Sequence, residues 1–187
     1  MKLLLASKSP RRRQLLSTLG FPINFISLDI DEHVPMGTPA AETAEIIARH
    51  KASAAPNPTG DEILVTADTV VVLDGEALGK PADEAEAFRM LRELSGRMHS
   101  VYTGVCLRTA KEALSFTERT DVFFRQLTNE EIHYYIEHYR PFDKAGAYGI
   151  QEWIGMVGVD RIEGCYYNVM GLPVARLYEH LCRLTGK

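Results

Sequence analysis

From Glu62 to Leu73 the sequence reads EILVTADTVVVL, and Asp74-Gly75 follows. An apolar, β-branched run of this kind is a buried strand, and Asp-Gly after it is a hairpin turn. Asp68 breaks the run, which is also too short to span a bilayer. Around it the chain alternates between strand and helix periods. Residues 2–6 form a short buried strand. Ser9 is an N-cap and Pro10 the first residue of a helix to about Leu19, closed by Gly20. A second strand is expected over 25–28. Thr38-Pro39 repeats the cap signal for a helix to about Lys51.

Further on, Asp83 and Glu86 fit a capping box, with Ala85, Phe88, Leu91 and Leu94 as one helix face and Ser95-Gly96 as its stop. Two long strands are expected over 98–108 and 114–124, around the turn 110–112. Thr128 and Glu131 open another helix, to about His138. A glycine-punctuated stretch follows over 146–171, then a helix over 173–184. Crossovers and hairpins together predict an α/β fold: a mixed twisted sheet flanked by helices, in two lobes around a central cleft. One domain, 1–187, accounts for the whole length.

Net charge is -4, which argues against a nucleic-acid coat but permits a local cationic pocket. Cys106, Cys165 and Cys182 are odd in number and widely spaced, so free thiols in a reducing cytoplasm are expected rather than disulfides or zinc. No leader or membrane segment is read.

Several segments conflict with plain stability. If Ser9 is an N-cap, Arg11, Arg12 and Arg13 crowd the positive end of a helix, each misplaced cation costing roughly 0.3–1 kcal/mol. A phosphate there removes the conflict, since free N–H groups and guanidinium forks both suit it; a solvated basic turn is the plainer reading. Asp68, beside Thr69, is a carboxylate in a buried strand, costly unless paired or used. It could serve as a general base on water or as a metal ligand, or simply mark a bulge or a solvent-facing position at a strand end. Lys80, framed by Gly79 and Pro81, could reach a phosphate or lie in solvent, and the loop is no Walker A. Asp29, Asp31, Glu32 and His33 suit Mg²⁺ or Mn²⁺, or a solvated loop equally well. Lys51 has a helix-dipole explanation. In the stretch Gly146–Gln151, Gln151 offers a donor and an acceptor that could read a nucleobase edge, while a flexible loop is the plainer reading.

Together these segments resemble the Maf family. The similarity lies in Ala6-Ser7-Lys8-Ser9-Pro10-Arg11-Arg12, Ala67-Asp68-Thr69-Val70-Val71, Leu78-Gly79-Lys80-Pro81, Val101-Tyr102-Thr103-Gly104-Val105, Lys144-Ala145-Gly146-Ala147-Tyr148-Gly149-Ile150-Gln151 and Asn168-Val169-Met170-Gly171-Leu172-Pro173. The resemblance implies an inosine triphosphate pyrophosphatase-like fold and hydrolysis of a nucleoside triphosphate to monophosphate and pyrophosphate. Ala67-Asp68-Thr69 and Gly149-Ile150-Gln151 resemble the branch acting on dTTP and UTP. The alternatives are the 7-methyl-GTP branch, which typically reads Ser-Asp-Gln, and a nucleotide-binding regulator of septum formation. The family's glutamine is usually followed by a small residue; here Glu152 follows.

By the same resemblance Asp68 is the proton acceptor, and Arg11, Thr69 and Gln151 are specificity positions. Ser7, Arg12, Lys51 and Lys80 would hold substrate. Glu32 with Asp68 would hold a divalent cation, Mg²⁺, Mn²⁺ or Co²⁺. The implied partners are the nucleotide and a second copy in a homodimer, with no nucleic acid or membrane.

Overall fold

The computed structural model describes residues 1–28, 34 and 37–186. The expected α/β architecture is the one observed. Chain order is β1 (Lys2–Ala6), α1 (Pro10–Ser17), β2 (Ile23–Ile26), α2 (Ala40–Ala54), β3 (Glu62–Leu73), β4 (Glu76–Leu78), α3 (Glu84–Leu94), β5 (Met98–Arg108), β6 (Ala113–Phe124) and α4 (Asn129–Tyr139). A 3₁₀ turn (Ala145–Ala147), α5 (Trp153–Gly158), β7 (Val159–Glu163), α6 (Tyr166–Met170) and α7 (Val174–Thr185) follow.

Among the described residues seven strands make one mixed sheet in the order β2-β1-β3-β5-β6-β7, with β4 on β3. β1 is parallel to both β2 and β3, and the remaining pairs are antiparallel. β3 is the pivotal strand. One edge pairs with β5 from Leu64 to Val72. The other edge is shared: β1 takes Glu62 to Val65, and β4 takes Val71 to Leu73. Residues 66–70 lie between these two partners, and Asp68 and Thr69 are among them.

Side chains alternate across a strand, and the cores follow that rule. On one face Ile63, Val65 and Ala67 pack with Leu15 and Leu16 of α1 and Leu177 and Leu181 of α7. Further along the same face Val71 and Leu73 pack with Leu91 and Leu94 of α3 and Ile132 and Tyr135 of α4. These are the two lobes. On the opposite face Leu64 meets Ala48 and Ala52 of α2.

The alanine-lined face of α2 lets it sit directly on sheet backbone. Gly104 of β5, opposite Asp68 in register, touches α2 so closely that a Cβ there would come within 2.3–2.4 Å of Ala44 and Glu45 backbone atoms. Glu45 in turn accepts hydrogen bonds from Ser115 and Thr117 of β6, at 2.6 and 2.7 Å.

Several local expectations need correction. α1 stops at Ser17, and β2 lies two residues earlier than expected. Pro39, not Thr38, occupies the cap position of α2, without a side-chain cap bond. Only half of the Asp83 capping box forms: Asp83 takes the Glu86 N–H, but the Glu86 carboxylate reaches the Ala82 N–H instead. Ala85 is exposed, and Ala87 and Met90 take its place inside. The stretch over 146–171 holds two short helices and a strand, because side-chain anchoring supplies order that its glycines do not. The box of Thr128 and Glu131 is complete.

Candidate active site

The gap along β3 is the floor of a cavity of about 600 Å³. Of the expected site residues, Ser7, Arg11, Arg12, Lys51, Asp68, Thr69, Lys80 and Gln151 all line it. Glu32 lies outside the described residues, as do Asp29, Asp31 and His33, though Leu28, just before them in sequence, lines the cavity.

The turn from β1 into α1 forms one wall. Ser9 is the N-cap, its hydroxyl accepting from the Arg12 N–H at 3.4 Å, and Pro10 opens the helix. The Ser9 N–H donates to Ser7 Oγ at 3.1 Å. The three arginines then separate. Arg11 reaches across the cleft to Asp143 Oδ2 at 2.9 Å. Arg12 is held by Gly171 and Thr69: Nε donates to the Gly171 carbonyl and Nη2 to Thr69 Oγ1, each at 2.8 Å. Gly171 caps α6 at φ +115°, a conformation that suits glycine and turns its carbonyl toward Arg12. Arg13 leaves the site: it donates to the Ser7 carbonyl at 3.1 Å and lies over the Phe25 ring. Its cationic charge serves the turn, not the cavity.

Asp68 is positioned from the other face of the sheet. α2 runs along β3, so the Ala48 carbonyl accepts from Thr66 Oγ1 at 2.6 Å, and one turn on Lys51 Nζ meets Asp68 Oδ1 at 2.7 Å. Both side chains of that ion pair are largely buried, at 12% and 14% exposure. Among the described residues only Oδ1 of Asp68 is engaged, which leaves Oδ2 for a water.

The late loop closes the far side. Lys144, which the sequence reading did not single out as a site residue, is buried and donates to Asp143 Oδ1 at 2.7 Å; its Nζ lies 3.1 Å from Glu152 Oε1. Burial pushes the Asp143 carboxyl up, but hydrogen bonds from Lys144 and Arg11 outweigh it and hold the group below the usual range. Its signal was only its place at the head of the Gly146–Gln151 stretch. Glu152, the departure noted above, accepts from Tyr135 Oη and, at 3.5 Å, from Gln151 Nε2. Gln151 Oε1 is buried without a partner among the described residues, an acceptor that a ligand N–H could satisfy. Lys80 stands exposed on the rim, and the carbonyl before it, of Gly79, accepts from the Gly146 N–H at 3.0 Å.

The described lining carries six basic side chains, Lys8, Arg11, Arg12, Lys51, Lys80 and Lys144, against two acidic ones, Asp68 and Asp143. That balance is the reverse of the whole chain's. Hard oxygen donors such as Asp68 suit a divalent cation, but among the described residues no three His, Cys, Asp or Glu side chains come together as a cation site.

A family model described as "Maf-like protein" matches residues 2–184. The chain belongs to the Maf family. This Maf protein is 50% identical over 185 residues to the dTTP/UTP pyrophosphatase of Bacteroides thetaiotaomicron, covering 98% of this chain and 96% of that one. It is 52% identical over 185 residues to the dTTP/UTP pyrophosphatase of Phocaeicola vulgatus, with the same coverage. Its fold is like that of a HAM1 protein from Coxiella burnetii, at TM-score 0.54 and 18% identity over 98% of this chain and 99% of that one.

Proposed function

We propose that this cavity hydrolyses dTTP and UTP to the monophosphate and pyrophosphate. The observation that carries the reading is the concentration of six cations, against two carboxylates, in one cavity of a chain of net charge -4. A triphosphate needs such a cluster, and few other small ligands do. The names of the half-identical relatives support the pyrimidine substrates.

In this mechanism Arg11, Arg12, Lys80 and Lys51 hold the phosphates, with Ser7 beside them on the β1–α1 turn. Asp68 Oδ2 takes a proton from water as the water oxygen bonds to the α-phosphorus. The bond from that phosphorus to the bridging oxygen breaks, and pyrophosphate leaves with the electron pair. Lys51 keeps Asp68 in place and sits where negative charge gathers. Catalysis is then mainly positioning and electrostatic stabilisation. Gln151 reads the base edge through both halves of its amide, and Thr69 borders the base pocket. A divalent cation, Mg²⁺, Mn²⁺ or Co²⁺, would be held by Glu32 and Asp68 and neutralises phosphate charge when bound. The three free cysteines support a cytoplasmic site of action.

The test is pyrophosphate release over ordinary and modified nucleotides, with each metal and with chelator. UTP and dTTP should turn over fastest, and chelator should silence the reaction. Asp68→Asn should lower kcat about 1,000-fold while UTP still binds. Turnover near wild type in that variant removes Asp68 as the base.

A further inference from the structure

Two motifs have no part in the reaction so far: the Thr103-Gly104 segment of β5 and the Asn168 segment of α6. They meet at the waist between the two lobes. The sheet face that is apolar at Ala67 and Val71 of β3 and at Val101 and Val105 of β5 is interrupted by Thr69 and Thr103, paired in register. Over the waist lies Asn168, fully buried, its amide donating to the Val101 carbonyl and to Thr120 Oγ1 at 3.0 Å each.

The hydrogens at this waist have one arrangement. Thr103 Oγ1 donates to the Asn168 carbonyl at 3.0 Å, and a carbonyl can only accept. A hydroxyl has a single hydrogen, so Thr103 has none left for Thr69. Across their 2.9 Å contact Thr69 is therefore the donor. Thr69 then has no hydrogen left either, and takes one from Arg12 Nη2, since guanidinium only donates. The direction runs Arg12 to Thr69 to Thr103 to the Asn168 carbonyl. Arg12 Nε is held at the same time by the Gly171 carbonyl, three residues on from Asn168.

We propose that Thr103 is a positioning residue for substrate binding. Fully buried and absent from the cavity wall, it acts through Thr69 and has two effects. It fixes the Arg12 guanidinium in the plane that meets the phosphates, and it makes Thr69 an acceptor only, so that a nucleotide meets Thr69 with an N–H or O–H. The proposal rests on the reading of Arg12 as a triphosphate ligand.

The experiment measures kcat/KM for UTP by pyrophosphate release in Thr103→Val, Thr103→Ser, Arg12→Lys and the double variant Thr103→Val/Arg12→Lys. Thr103→Val keeps the shape and removes the relay, and should lower kcat/KM about tenfold. Thr103→Ser restores the hydroxyl and should stay within about twofold of wild type. In the Arg12→Lys background, where the fork is already lost, Thr103→Val should cost less than about threefold, the coupling expected of members of one network. An equal fold-loss in both backgrounds, or a Thr103→Ser as impaired as Thr103→Val, overturns the proposal. Arg12→Lys at wild-type efficiency instead overturns the phosphate reading of Arg12 on which the proposal stands. Should Thr103→Val not fold, Thr103→Ala, which also removes the hydroxyl, takes its place with the same expectations.

Discussion

His99 is buried against the active-site wall. Its Nε2 lies 2.7 Å from Tyr148 Oη, and the Phe124 ring packs edge-on to it. Burial pushes its pKa down to about 4, against a smaller upward pull from Asp121. The folded form therefore holds a neutral imidazole where the unfolded chain takes up a proton. Stability is complete above about pH 6.5 and falls as the pH drops toward 4, by about 3 kcal/mol in full. Urea midpoints measured at pH 7 and 4.5 should show this loss, and His99→Phe should flatten it; His180, also pushed down, titrates alike in both proteins. A second residue-scale outcome concerns Gln151. Its Ala variant should narrow the ratio of UTP to CTP turnover by about tenfold, one hydrogen bond's worth, while leaving phosphate affinity nearly unchanged; equal losses on all nucleotides refute base reading. At this scale the cavity-lining side chains were legible, because Asp68 in an apolar run and arginines at a helix start are costly without a ligand. Asp143 and Lys144 were not: their pairing with Arg11 and Glu152 is a contact across more than 100 residues of chain or a loop closure, which spacing does not carry.

At the scale of elements, the position of α2 decides whether Lys51 can meet Asp68. The alanines of α2 and the missing side chain of Gly104 bring helix and sheet into backbone contact. Gly104→Ala should lift the helix, cost about 2–3 kcal/mol by overpacking, and lower kcat together with stability. Thermal melting and pyrophosphate release, measured on the same variant, check both. The strands and longer helices were legible from period and punctuation, as with Pro10, the Asp74-Gly75 turn and the Thr128 box. α5, β7 and α6 were not, because their order comes from tertiary anchors such as Asn168 in the waist and the Arg125 side chain on the Val157 carbonyl at 2.6 Å. The exposed Ala85 makes the same point: which side of a helix turns inward is set by its neighbours.

For the whole molecule, the two apolar clusters share β3, β5 and β6, so neither can melt alone without breaking strands that cross both. Calorimetry should show a single transition. The non-hydrolysable α,β-methylene-UTP, at 100 times its Kd, should raise unfolding free energy by about 2.7 kcal/mol while keeping that transition single. Two resolved transitions contradict the shared-strand account. The overall charge pointed away from polyanions in general, and the structure adds that six of the 21 lysines and arginines line one cavity.

The shared strands also have a mechanical meaning. A clamp built from two bodies closes by bending at a hinge, but here the line between the jaws is crossed by continuous, cross-linked backbone, with β5 and β6 paired along their whole length. The slot is a rigid gauge rather than a moving jaw. A nucleotide is accepted by fitting a fixed opening, and a change of substrate would be made by re-facing the walls with different side chains.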